Sequence, residues 1–276
     1  MGAARSEREN LTLLPDLIAL ARVPKSTLDI LFQDDDFVAV NKPAGLAVIP
    51  GRGEAEGETV LERLAMELNL PASGAADPRI RVVHRLDKDT SGVMLFAKHV
   101  AAQRHVSHQF QNNTTSKEYL ALVVGRPSQS AGEIDAKLAP HPSSKLRMAV
   151  IRHGGRPART QWRVEQSFRQ YTLLRVFPKT GKTHQIRVHL KHIGLPLAVD
   201  PLYNPTPPGT PVGLFLSSFK RGYRSTRGEQ ERPLIARLTL HAERLRFQDL
   251  GGREIDLVAP LPKDFRAALN MLARHG

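Results

Sequence analysis

The sequence predicts an α+β domain. Strand patterns recur along the whole chain, helical patterns are few, and the two do not alternate as a doubly wound parallel sheet requires. No internal repeat is present, and no linker divides residues 28–276. One domain of that length is therefore expected behind a flexible lead-in of residues 1–27.

Taken in order, Ile30-Leu31-Phe32 and Phe37-Val38-Ala39-Val40 read as two short strands about the turn Asp34-Asp35-Asp36. Asn41 to Gly45 breaks the run, and Leu46-Ala47-Val48-Ile49 resumes it. Thr59 followed by Glu62 is a capping-box signature. Val60, Leu61, Leu64, Ala65 and Leu68 recur behind it at helical spacing, which predicts a helix over 59–69. A loop spans 71–78, and strands are expected over 80–83 and 92–97. A helix over 99–111 turns Val100, Val106 and Phe110 inward. Residues 118–124 are apolar on both faces, as a buried strand is. Strands follow near 160–167 and 171–177. Thr183 opens a helix striped by Ile186, Leu190 and Ile193, which Gly194 ends. Residues 204–232, rich in Pro, Gly and basic side chains, read as a long mobile loop. Strands over 235–240 and 243–247 and a helix near 262–274 close the chain.

The composition excludes several chemistries. Without cysteine there is no disulfide, thiolate nucleophile or Cys-ligated metal. No apolar run approaches membrane-spanning length, and the N-terminus lacks a signal-peptide pattern, so a cytoplasmic protein with no membrane partner is expected. No obligate protein partner is evident. The formal charge is +13, and its distribution is uneven. Ala136 to Val199 holds 13 Lys or Arg against one acid, Glu165. Such a stretch, mixed with strand and helix patterns, predicts a folded surface for a polyanion, including Lys145, Arg147 and Arg152.

Two stretches could carry chemistry. In Arg81 to Gly92 a strand runs into a polar turn holding His84, Arg85, Asp87, Lys88 and Asp89, and a second strand leaves. A turn at a strand end presents reactive groups from a rigid scaffold, although an Arg-x-Asp turn by itself is more often an ion pair. The second stretch is Lys179 to Leu190. Gly181-Lys182-Thr183 ends like a phosphate-binding loop, but the glycine required five positions earlier is Val176. His184, His189 and His192 match no metal-ligand spacing. Arg187 lies beside the apolar stripe of its helix, at a core boundary where a cation wants a carboxylate.

Together these stretches resemble the RluA family of pseudouridine synthases, over roughly residues 28–260. Six ordered landmarks carry the resemblance: Asn41-Lys42-Pro43-Ala44-Gly45-Leu46; His84-Arg85-Leu86-Asp87 with Thr90-Ser91-Gly92 and Ala97-Lys98; Lys117-Glu118-Tyr119-Leu120-Ala121; Gly181 to Leu190, with Lys182 where Arg is common; Asp200-Pro201-Leu202-Tyr203; and Leu240-His241-Ala242. The resemblance implies the pseudouridine synthase fold, a bent, mixed, mostly antiparallel sheet with flanking helices and a central RNA-binding cleft. It implies that Asp87 is the essential carboxylate, that Tyr119 stacks on the target uracil, and that Arg187 pairs with Asp87. Arg85 matches an arginine that wedges into RNA when the base flips out. His84, Lys42, Lys182 and His184 are expected to join Arg85 in binding RNA. Some members carry an N-terminal S4 domain, and residues 1–27 are too short for one.

The implied reaction breaks the N1–C1′ bond of a uridine, turns the uracil and joins C5 to C1′. As an isomerisation it needs no cofactor and no metal. The expected substrate is ribosomal or transfer RNA. A carboxylate can serve as nucleophile or base, and a nearby Arg187 would favour its charged form. Two other readings stay open: an RNA-binding protein that keeps the fold without the chemistry, and a base-releasing nucleosidase.

Overall fold

The computed structural model describes residues 27–50, 58–71, 79–223 and 230–276. The expected lead-in up to residue 26, most of the 71–78 loop, and Arg224 lie outside the described residues.

The opening strands are β1 (Asp29–Gln33) and β2 (Phe37–Lys42). Helix α1 (Val60–Glu67) is capped as its sequence predicts: the Glu62 N–H donates to Thr59 Oγ1, and the Thr59 N–H donates to the Glu62 carboxylate. Then come β3 (Arg81–Val82), β4 (Ser91–Ala97), α2 (Val100–Gln111) and β5 (Ser116–Val124). On α2, Val106 is buried and Phe110 partly so, but Val100 is 40% exposed at the first turn rather than inward. Three strands follow that periodicity did not predict: β6 (Ala131–Asp135), β7 (Lys137–His141) and β8 (Ser144–Ile151). After β9 (Arg159–Ser167) and β10 (Tyr171–Pro178) comes α3 (Gln185–His192), ended by Gly194 at φ 78°. The chain closes with β11 (Leu240–Gln248), β12 (Glu254–Val258) and α4 (Lys263–His275).

Ten strands form one mixed sheet in the order β1-β2-β4-β11-β5-β10-β9-β6, with β3 beside β4 and β12 beside β11. Every pairing in it is antiparallel except β4 with β11. That parallel junction has two residue pairs, Ser91 with His241 and Gly92 with Ala242. Gly92 has φ 118°, and a Cβ there would fall inside the Ala242 carbonyl. Only glycine permits this approach.

Alternation along the strands sets two faces. Val38, Val40, Met94 and Phe96 meet Val60, Leu61 and Leu64 of α1. On β5 and β10, Ala121, Val123, Leu174 and Val176 meet Ile186 and Leu190 of α3. Leu240 and Ala242, two apart on β11, belong one to each cluster, so α1 and α3 share a sheet face. Tyr119 packs against both clusters and marks the seam between them.

Three further expectations change. Leu46–Ile49 forms no strand. Residues 235–240 and 243–247 do not form two strands; one strand, β11, bulges at Glu243 instead. The described part of 204–232 is anchored: Leu214 and Phe219 are buried with Leu122 and Phe265, and Leu214 pairs with Ile235 through the backbone. Apolar residues spaced along a Pro-rich segment, without period, gave no sign of that anchoring.

Candidate active site

Asp87 sits in the turn between β3 and β4, closed by a hydrogen bond from the Thr90 N–H to the Asp87 carbonyl. The turn is fixed from below. Lys42 Nζ donates to the Lys88 carbonyl at 2.7 Å and to the Pro43 carbonyl at 2.8 Å. The Gly45 N–H reaches the same Lys88 oxygen at 3.0 Å. Lys42 is fully buried, and burial lowers its pKa to about 7. The expectation that Lys42 contacts RNA is thereby corrected. Its ammonium cannot reach a phosphate, because it is spent bracing the Asp87 turn. Ser91, at the start of β4, is held by His241 Nδ1 at 3.0 Å and by Arg237.

Arg187 projects from the first turn of α3. Its Nε and Nη2 donate to the two oxygens of Asp200, each at 2.8 Å, and its Nη1 donates to Asp87 Oδ2 at 3.0 Å. Bidentate pairing fixes the guanidinium plane, so the third donor is aimed before any ligand arrives. Burial opposes the charge on Arg187, but Asp200 and Asp87 outweigh it and raise its pKa. Asp200 is itself held by the N–H groups of Leu202 and Tyr203. Asp87 Oδ1 has no hydrogen-bond partner among the described residues and is left to the cavity.

His184 precedes α3 in the left-handed region, φ 55°, with Nε2 3.8 Å from Asp87 Oδ2. Its Nδ1 lies 2.8 Å from the Tyr203 hydroxyl, which accepts the Met148 N–H of β8 at 2.8 Å. The Arg187 guanidinium lies 5.0 Å from the centre of the Tyr203 ring. Burial lowers the His184 pKa, which favours the neutral ring.

Asp87, Arg187 and His184 border a cavity of about 540 Å³. Tyr119 and Leu240 line it, with Arg85, Lys182 and His184 at its walls. Burial first, and then the charge of Asp87, raise the Tyr119 pKa, so the phenol stays protonated. His84 also lines the cavity, stacked on Phe110 at 4.6 Å, with Nε2 accepting the Leu95 N–H. Burial lowers its pKa to about 3, so it offers an uncharged wall rather than a cation for phosphate. Lys145 and Arg147 lie on β8 and Arg152 just after it, on a two-stranded sheet with β7 that is separate from the main sheet.

Sequence reasoning thus anticipated the pairing of Asp87 with Arg187. It did not assign Asp200 and Tyr203 as partners of Arg187 and His184. The signal was available, since a cation at a core boundary called for a carboxylate and Asp200-Pro201-Leu202-Tyr203 was already singled out.

Comparison with known proteins agrees with this arrangement. A family model described as RNA pseudouridylate synthase matches residues 36–192. A ribosomal large subunit pseudouridine synthase D from Nitrosomonas europaea is 41% identical over 246 residues, 89% of this chain and 65% of that protein. One of the same description from Haemophilus ducreyi is 40% identical, over 86% of this chain and 68% of its own length. The chain thus spans about two thirds of the length of these relatives. The solved structure of human RNA pseudouridylate synthase domain containing 4 superposes with a TM-score of 0.65 at 29% identity, covering 89% of this chain and 93% of that one. With more than half of its residues matched by the family model and the fold shared, the chain belongs to the RNA pseudouridylate synthase family, of the RluA type.

Proposed function

We propose that this chain isomerises uridine to pseudouridine in RNA of the large ribosomal subunit, with Asp87 as the catalytic carboxylate. The observation that carries this reading is the asymmetric state of that carboxylate. One oxygen is held by Arg187 and the other is free at a cavity bordered by Tyr119. The ribosomal substrate follows from the names of the relatives.

The reaction breaks N1–C1′, forms C5–C1′, releases the C5 proton and protonates N1. The free oxygen of Asp87 is the group available at C1′, as nucleophile or as base. Arg187 holds the carboxylate still and compensates its charge in a partly dry cleft. A uridine must leave its stack to enter, at a cost of a few kcal/mol. Stacking on Tyr119 returns roughly 1–3 kcal/mol, and Arg85 at the cavity wall is the cation closest in kind to a wedge that fills the gap. Lys182, His184, Lys145, Arg147 and Arg152 contribute to docking the strand.

The test is tritium release from large-subunit RNA labelled at uracil C5. Wild type is expected to release tritium to water and Asp87→Ala to release none. Release by both variants, or by neither, would overturn the assignment. Labelled free uracil in place of tritiated water would replace isomerisation with base release.

A further inference from the structure

The cavity has a second corner, cationic and unpaired. Lys117 lies two residues before Tyr119 on β5, so the two side chains leave the same face of the strand. Lys117 lines the cavity, and so does Lys182 from the turn before α3. Lys179, at the head of that turn, is the other ammonium acting on Lys117. Lys117 Nζ comes close to this turn, since a Cβ built on Gly181 would stand 4.0 Å from it. Among the described residues, none of the three ammonium groups has a hydrogen-bond or ion-pair partner. On β9 and β10, by contrast, Arg159, Arg163 and Arg175 each meet a carboxylate.

We propose that Lys117, Lys179 and Lys182 form a phosphate subsite, which takes a phosphodiester of the RNA strand next to the nucleotide seated on Tyr119. The subsite rests on the reading of the cavity as a uridine site and adds to it the feature that separates an RNA strand from a free nucleoside. Three like charges beside one cavity repel one another, and partial burial of Lys117 removes the water that would screen them. An arriving phosphate relieves both penalties.

Lys117 carries a signature that surface lysines lack. Burial first, then Lys182 and Lys179, lower its pKa to about 8. His84 from the β3–β4 turn, which is neutral, also faces it, and Tyr119, Asp87, Arg85, His184 and Arg187 line the same cavity. From α2 come Ser107, Phe110 and Gln111, none of which titrates. Phosphate requires the protonated amine, so affinity from this contact is full below pH 8 and is lost as pH rises through that value.

The experiment measures the affinity of the full chain, carrying Asp87→Asn to prevent turnover, for a fluorescein-labelled oligouridylate of about 12 nucleotides. Without further change, affinity is expected to fall about fourfold between pH 7 and pH 8.5 through this one proton. Lys117→Arg should keep the affinity and remove that fall. Lys117→Met should weaken binding about tenfold, the scale of one charge-assisted hydrogen bond, and reduce the salt slope by about one. Lys179→Gln with Lys182→Gln, at exposed and half-exposed positions, should reduce the slope by about one at most, because the three lysines share one phosphodiester, and this arm stands if Lys117→Met does not fold. An unchanged salt slope in the lysine variants would overturn the subsite, as would an unaltered pH dependence in Lys117→Arg. None of these arms needs turnover, so a failure of tritium release would count against the proposed activity alone.

Discussion

Asp87 and Lys42 are joined through the Lys88 carbonyl, and the join separates two kinds of basic residue that look alike in a sequence. A lysine that docks RNA adds to affinity and to its salt dependence. A lysine that braces the catalytic turn adds to neither. Lys42→Met is therefore expected to lower turnover about ten- to a hundredfold, the scale of a small misplacement of a reacting group, while RNA affinity and its salt slope stay at wild-type values. Lost affinity with intact turnover would return Lys42 to the RNA surface. Asp87→Asn is expected to abolish tritium release with RNA affinity retained, because Asp87 is held inside by Arg187 rather than turned to phosphate. At this scale the sequence showed which residue types matter but not what each touches. Asp87, Tyr119 and Arg187 stood out as ordered motifs. Lys42 was misread because a surface lysine and a fully buried one leave the same local pattern, and here partners 46 residues along the chain decide which it is.

The β7–β8 hairpin shows the same limit for an element. Its strands went unpredicted because Pro140 interrupts one and neither alternates cleanly. Proline is tolerated there because a two-stranded sheet consists of edges. The basic run that covers it was legible, and the hairpin gives that run a shape. Reversing the charges of Lys145, Arg147 and Arg152 together is expected to weaken RNA binding and to reduce the salt slope by about three; a slope equal to wild type would remove the hairpin from the interface. The hairpin is also tied to the active site, since the Met148 N–H, the Tyr203 hydroxyl and His184 form one chain that ends 3.8 Å from Asp87. Tyr203→Phe leaves the Met148 N–H and His184 Nδ1 without that partner. It should cost about 1–2 kcal/mol of stability, measured as a shift in the urea midpoint at constant slope. An unshifted midpoint would mean that water replaces the hydroxyl without loss. The helices were legible in place, because caps and apolar spacing are local, but not in every residue: α3 starts at Gln185 rather than Thr183, and Ile193, expected in its apolar stripe, lies past its end and is exposed. The capping box of Thr59 and Glu62 and the stop at Gly194 formed as their sequences predict.

For the molecule as a whole, the decisive contact is the parallel junction of β4 with β11, which no local pattern announces. On one side lie β1, β2 and β3 with α1, and on the other β5, β10, β9 and β6 with α3. The Asp87 turn runs directly into β4, whereas Tyr119 and Arg187 belong to the far side, on β5 and α3. The active site is therefore assembled across the junction, and its geometry depends on two residue pairs, Ser91 with His241 and Gly92 with Ala242. The landmark residues there now have physical reasons: His241 bonds Ser91 Oγ, Ala242 is small where the strands approach, and Gly92 has no Cβ to obstruct them. Gly92→Ala would bring a methyl group against the Ala242 backbone at a φ that L residues avoid. Relief requires the two strands to move apart. The expected cost is about 3 kcal/mol or more, read as a lower urea midpoint, with turnover falling further than stability because Asp87 shifts relative to Arg187 and Tyr119. Ala242→Gly removes only a methyl group from the facing residue and should leave turnover much closer to wild type. Equal loss of turnover in the two variants would show that packing around Ala242, and not the backbone approach at Gly92, sets the distance across the site.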